Sequence, residues 1–187
     1  MNNQPPTTNN QQPTTNNQQP TTNNQQPTTN HQQLPAEAIT SADFQPYGQL
    51  ITASANSKAY DASDAQLNLQ NGIPRFYIMR LYKRGRKFHK ITRHVQCTQC
   101  LGALEGKDWW MAVAPPSQGQ QPEIEAVKAF WIPGNCFIKL EMGTWHAGPY
   151  FDHDVVDFYN LELSDTNEVD HFSHDFLKSH HLEFEIV

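Results

Sequence analysis

The first part of this chain has almost nothing to bury. Between Met1 and Leu34 there is no Ala, Val, Ile, Leu, Phe, Tyr or Trp. From Gln4 the sequence repeats QPPTTNN, QQPTTNN, QQPTTNN and QQPTTNH, then breaks off into QQLPAEA. A polar tandem repeat of this kind has no burial to offset its conformational entropy, so residues 1–33 are expected to be disordered. With no a/d apolar stripe and a proline in every seven residues, it is not a coiled coil. It reads as a neutral expansion, because its composition assigns it no chemistry.

Other absences narrow the function. The start lacks the basic and apolar regions of a signal peptide, and no run is long enough to span a membrane. Three cysteines, an odd number, do not make a disulfide framework and fit a reducing compartment, so a cytoplasmic protein is expected. Thirteen basic residues against nineteen acidic leave a formal charge of −6, which argues against a nucleic-acid partner. Eight of the basic residues fall between Arg75 and Arg93. The run YKRGRKFHK has Gly85 at its centre and apolar runs on both sides, so it reads as a solvated hairpin tip.

The remaining residues, 34–187, suffice for one domain. Their pattern is short and β-rich: RFYIMRLY, FHKITRH, TQCLGAL, WWMAVA, VKAFWI, CFIKL, DFYNLEL and HLEFEIV, separated by turn signals such as Glu105-Gly106-Lys107 and Pro133-Gly134-Asn135. One short helix is expected at TSADFQPYG, with Ser41 as its cap. Closely spaced strands without intervening helices indicate an all-β sandwich or barrel. In pairs such as Trp109-Trp110 and Phe130-Trp131 both parities are apolar, so both faces of those strands need cover, from a partner sheet or a second subunit.

Several polar residues stand where a barrel interior wants apolar ones: His94, Gln99, Lys139, Glu141 and His146. Lys139 is the sharpest, because a cation inside CFIKL either reaches solvent or meets an anion. Thr92-x-His94-x4-Gln99-x6-Gly106 and Gly143-Thr144-Trp145-His146 match the spacing of the two motifs of cupins, double-stranded β-helix (jelly-roll) barrels. Thr and Gln replace the first motif's His and Glu. His94 and Gln99 thus become site residues, while Cys97 and Cys100 read as packing, since Cys136 is the only other thiol and a closed zinc site needs four ligands.

The segments DFQPYGQLI, ITRHVQCTQCLGALEG, VKAFWI, MGTWHAG and VDFYNLELSDTN resemble the ureidoglycolate lyases of allantoin catabolism, and most closely a plant and cyanobacterial branch of that family. The resemblance implies a cupin fold and a carbon–nitrogen lyase that yields glyoxylate and urea. It carries His94, Gln99, Trp145 and His146 over as site residues. It also implies a divalent metal such as nickel, held by His94, Gln99 and His146, whereas the residues by themselves, with a neutral Gln and a Thr in place of the third His, predict weak binding or none. Where bacterial members read His-x3-Trp-His, this chain has Glu141 for the first His, and Ala147 follows the Trp-His pair, which leaves the exact substrate open.

The substrate would be a small hydroxy-carboxylate. His146 is expected as base and Lys139 as carboxylate partner, with Glu141 and Tyr77 as candidate proton donors and Gln99 and Trp145 as further substrate contacts. His153, His171, His174, His180 and His181 read as solvated. A homodimer is expected. The alternatives are a non-catalytic cupin that binds a small carboxylate, or a cupin enzyme acting on a related hydroxy- or ureido-acid.

Overall fold

The computed structural model describes residues 1–3 and 28–187. Residues 4–27, most of the stretch expected to be disordered, lie outside the described residues. In chain order come β1 (Asn30–Leu34), β2 (Ala36–Ala38), α1 (Ser41–Phe44), β3 (Gly48–Thr52) and β4 (Pro74–Tyr82). Next are β5 (Lys87–Phe88), β6 (Lys90–Arg93), β7 (Gln99–Ala103), β8 (Gly106–Ala114) and β9 (Lys128–Gly134). The chain continues through β10 (Cys136–Leu140), β11 (Trp145–Tyr150), β12 (Val155–Leu163), α2 (Thr166–Val169), β13 (Phe172–Asp175), α3 (Phe176–His180) and β14 (Leu182–Ile186).

Two large sheets face each other, one ordered β3-β10-β7-β12-β4 and the other β13-β6-β11-β8-β9-β2. Between them lies an apolar cluster that includes Phe44, Leu101, Trp109, Met111, Phe130, Ile138 and Phe158. This is the double-sheet barrel of a cupin-like all-β fold. The doubled apolar parity has its explanation on the outer face of the six-stranded sheet. There Ala112, Ala114, Ala129, Trp145 and Ala147 pack in a second cluster with Phe88, Phe176 and Phe184. A small third sheet, β1-β14-β5, supplies that cover, so on this side the partner comes from the same chain.

Three details differ from expectation. FHKITRH is not one strand: it breaks at His89, so that β5 joins β14 while β6 joins the large sheet. Phe88 is thereby delivered to a ring stack with Phe184, centroids 5.1 Å apart. The helix cap is Thr40, whose Oγ1 accepts from Asp43 N at 3.1 Å, and Ser41 is the first helical residue. The third concerns the boundary placed at residue 33. Asn30–Leu34 pairs in parallel with Leu182–Ile186 over five residues, so the ordered chain begins earlier. The stretch offers no apolar side chain before Leu34, but β14 presents an open edge whose backbone groups bond as well to Asn and Gln as to Val.

Deletion of residues 1–34 removes this strand and the buried Leu34, whereas deletion of 1–27 spares both. Burial of one leucine is worth about 1.5–3 kcal/mol, and for a domain of this size each kcal/mol moves Tm by roughly 2–4 °C. The longer deletion is therefore expected to melt about 3–12 °C below the shorter one by calorimetry. Coincident transitions would show that β1 contributes nothing.

Candidate functional site

A cavity of about 410 Å³ opens inside the barrel, away from the aromatic core. Strand alternation decides which side chains reach it. On the five-stranded sheet the inward series of β12 is Phe158, Asn160, Glu162, and its cross-strand neighbours are Tyr77 on β4 and Leu101 on β7. On the six-stranded sheet Lys90 and Thr92 of β6 face in, while Ile91 packs in the outer cluster. His146 is the register partner of both Thr92 and Val113.

The wall on the five-stranded sheet is a hydrogen-bonded network around Glu162, which is 1% exposed. Tyr77 Oη donates to Glu162 Oε1 at 3.1 Å and accepts from Asn160 Nδ2 at 3.0 Å. Gln99 Nε2 donates to Glu162 Oε2 at 2.9 Å and to Asn160 Oδ1 at 3.2 Å. Asn167 Nδ2 adds a longer contact of 3.3 Å to Glu162. Each amide orientation follows from the acceptors it faces: reversing Gln99 would set its oxygen against two other oxygens. Gln99 Oε1 is left buried without a hydrogen-bond partner. Burial raises the Tyr77 pKa, with Asn160 opposing it, so the phenol stays a donor.

The facing wall carries imidazoles. The His94 and His146 rings lie 5.1 Å apart, and His171 is 5.8 Å from His94 at the exposed rim. His94 Nδ1 donates to the Asp170 carbonyl, and His146 Nδ1 to the Thr144 carbonyl at 3.2 Å. A carbonyl only accepts, so both rings carry the proton on Nδ1 and keep a free lone pair on Nε2. The loop bearing His94 is pinned by Asp170, whose carboxylate accepts from Val95 N and Gln96 N at 2.8–3.0 Å. Gly143, at φ +84°, makes the turn ahead of β11 and donates its N–H to the His94 carbonyl at 2.6 Å, tying the two histidine segments together. Burial lowers the pKa of His94, and it lowers that of His146 to about 3, with neighbouring His94 adding to the shift. Desolvation thus takes His146 out of the near-neutral range of a free imidazole.

His94, Gln99, His146 and Tyr77 therefore meet in one cavity, and three expected site residues do not. Lys139 alternates with Ile138 and Leu140, both in the inner cluster, and so points out through the opposite face of the five-stranded sheet. It is fully buried there, paired with Glu141, and its strand partner Gln49 ties down the 62–66 segment. Glu141 is half-exposed at that pair and does not line the cavity. Trp145 is buried in the outer cluster, with Nε1 donating to Ser117 Oγ at 2.9 Å and the Arg93 guanidinium 4.4 Å over its ring.

The sequence reading missed Glu162 and Asn160, although Asn and Glu sit at alternate positions of DFYNLEL in phase with buried Phe158 and could have been found that way. It also missed His171 and the basic run: Arg84, Lys87 and Lys90 edge the cavity. The three cysteines are free thiols, and Cys97 and Cys136 are buried.

Among the described residues, no group of three or more His, Cys, Asp or Glu side chains is placed to hold a metal. The chemistry of the donors that are present nevertheless suits a divalent ion at two points, since both imidazoles are neutral, offer Nε2 and have Nδ1 fixed by a carbonyl.

A family model described as Ureidoglycolate lyase matches residues 31–179. No curated protein matches the chain.

The low pKa of His146 has a consequence for stability. Below pH ~6.5 the unfolded chain takes up a proton that folded His146 refuses until about pH 3, so stability is complete above that window and falls through it as pH drops. The contribution is up to about 1.4 kcal/mol per pH unit. Urea unfolding at pH 7 and pH 5 is expected to show a smaller loss for His146→Asn than for the native protein. Equal losses would show that His146 titrates normally.

Proposed function

This chain belongs to the ureidoglycolate lyase family, and on that premise we propose how its own residues carry the reaction. Membership makes it a lyase that cleaves ureidoglycolate in purine catabolism. The substrate bears a carboxylate, a hydroxyl and a ureido nitrogen on one carbon. Release of glyoxylate and urea breaks the C–N bond and turns the hydroxyl into a carbonyl. The balance requires one proton to move from oxygen to nitrogen and consumes no water.

His146 is the group that moves it. The observation that carries this reading is the pair of cavity-lining imidazoles whose Nδ1–H groups are spent on carbonyls, leaving two Nε2 lone pairs across from the Glu162 network. His146 Nε2 takes the hydroxyl proton as the carbonyl forms and passes it to the departing nitrogen. Its depressed basicity makes the pickup costly, and the incoming carboxylate offsets this by favouring the imidazolium. The same low basicity makes delivery easy. Tyr77, held neutral as a donor to Glu162, orients the polar wall. A divalent metal such as nickel would be held by Nε2 of His94 and His146; it would then occupy the lone pair that otherwise takes the proton, and would supply Lewis acidity toward the hydroxyl oxygen in its place.

The finer expectations of assembly and place belong to the same reading. The outer face of the five-stranded sheet exposes Phe76 and Ile78, and the Phe76–Tyr159 and Tyr159–Phe137 rings stack at 5.6 and 5.8 Å. A contiguous aromatic face of this kind suits a second copy, hence a homodimer. No helix among the described residues is long and apolar enough to cross a membrane, and free thiols suit the cytoplasm.

His146→Ala is expected to lower kcat about 10²–10⁴-fold with an unchanged fold. Lys139→Met, outside the cavity, should leave KM within about twofold. Glyoxylate release measured on both variants checks this; a large KM effect at Lys139 would reject the placement, and absence of turnover in the native protein would favour the carboxylate-binding alternative. For the dimer, light scattering should show twice the chain mass, reduced to one chain by Tyr159→Asp.

A further inference from the structure

The α2 segment touches both walls of the cavity. Asn167 Nδ2 lies 3.3 Å from Glu162 Oε1 on one side, and further along the same turn the Asp170 carbonyl holds His94 Nδ1 on the other. The backbone of this turn is fixed at both ends. Thr166, 1% exposed, accepts from Leu163 N at 3.1 Å, and the buried Asp170 carboxylate accepts from Val95 N and Gln96 N. Between these anchors the turn is closed by Asp170 N, which donates to the Thr166 carbonyl at 3.1 Å. Residues three apart in a helical turn stand about 5–6 Å apart at Cβ, so Asn167 is a close neighbour of the residue that orients His94.

Asn167 is exposed and lines the cavity, as does His171 on the same segment. Its amide is only partly used. One N–H goes to Glu162, which leaves the second N–H and the Oδ1 oxygen without a partner among the described residues. Because the residue is exposed, both groups are open to a ligand, whereas Gln99 Oε1 is closed off by burial. A donor and an acceptor on one planar group match the carbamoyl end of a ureido acid, H₂N–C=O, which offers the same two functions in reverse. The segment VDFYNLELSDTN ends on this residue. Its Asn160 and Glu162 build the wall and its Thr166 anchors the turn, so the chain is held still where Asn167 projects.

We propose that Asn167 is a specificity residue that reads the carbamoyl group of the substrate: its Oδ1 accepts from the terminal NH₂, and its free N–H donates to the carbamoyl oxygen. The inference rests on the lyase reading and names the part of the substrate that α2 recognises. It turns the departing urea toward α2 and leaves the reacting carbon toward the imidazoles. A simple 2-hydroxy acid, which has no carbamoyl group, forfeits both bonds, so the site selects ureido acids.

The contact can be read by binding, without turnover. Carbamoylglycine lacks the hydroxyl and cannot be cleaved, and N-acetylglycine replaces its terminal NH₂ by methyl. By calorimetry on the full chain, the native protein is expected to bind carbamoylglycine about five- to tenfold more tightly than N-acetylglycine. Asn167→Ala, at an exposed position, should bring the two within about twofold of each other, while Glu168→Ala on the same turn should keep the full preference. The ratio separates recognition from bracing. If Asn167 only supported Glu162, its removal would weaken both ligands alike and leave their ratio intact, and that result would overturn the assignment. A native protein that binds neither ligand, or both equally, would overturn it as well. Glyoxylate release from ureidoglycolate tests the lyase reading separately. Its absence with the preference intact would reject that reading and leave the carbamoyl contact standing, whereas turnover without the preference would reject the contact alone.

Discussion

Glu162 places a carboxylate inside a β-barrel, where an anion without donors would be prohibitively costly. Its oxygens are met by the Tyr77 hydroxyl and the amides of Gln99 and Asn167. These donors come from β4, β7 and the α2 segment, so one buried charge constrains three parts of the chain around β12. The constraint extends to hydrogen positions. Because a carboxylate accepts only, Tyr77 must point its proton at Glu162, Asn160 must turn its NH₂ to Tyr77, and Gln99 must turn its NH₂ inward. One orphan oxygen on Gln99 follows from that chain of requirements. A network whose members all fix one another gives a wall of defined polarity, which a set of independent side chains would not.

The opposite wall obeys the same accounting with a different acceptor. Asp170 serves His94 twice, through its carbonyl to the ring and through its carboxylate to the two backbone N–H groups that follow. The ring is thus oriented by backbone and anchored by a charge. Desolvation then keeps both imidazoles neutral, which suits proton transfer to and from a small bound acid and also suits ligation. Placing two histidines 5.1 Å apart is tolerable for this reason, since neither needs to carry charge in the free protein.

Architecture and chemistry are linked by the cover on the outer face. The six-stranded sheet can present histidines inward only because its other face is packed by β1, β14, β5 and α3. Trp145, adjacent to His146, faces that second cluster, so the Trp-His dipeptide divides its two members between the two faces of one strand. The resemblance marked both residues; alternation makes only His146 a cavity residue.

Much was legible in the sequence because it depends on local pattern. Strand-forming runs with turn signals between them indicated an all-β barrel, and the motif spacing singled out His94, Gln99 and His146, since spacing along neighbouring strands translates directly into position. Tyr77 was also named from sequence. What only the tertiary structure decided was facing and partnership. Lys139 looked like an anion site because a cation in CFIKL is anomalous, yet inward-facing Ile138 and Leu140 turn it to the outer side, where Glu141 neutralises it. Lys90, hidden in a run that read as a solvated hairpin, faces the cavity because the chain breaks at His89 and hands β6 to another sheet. The same holds for Glu162 and His171, which are 68 and 77 residues from His94 in sequence but share its cavity. Alternation can be read within a strand, whereas the choice of inner face and of neighbours is set by long-range pairing and burial, which no local segment encodes.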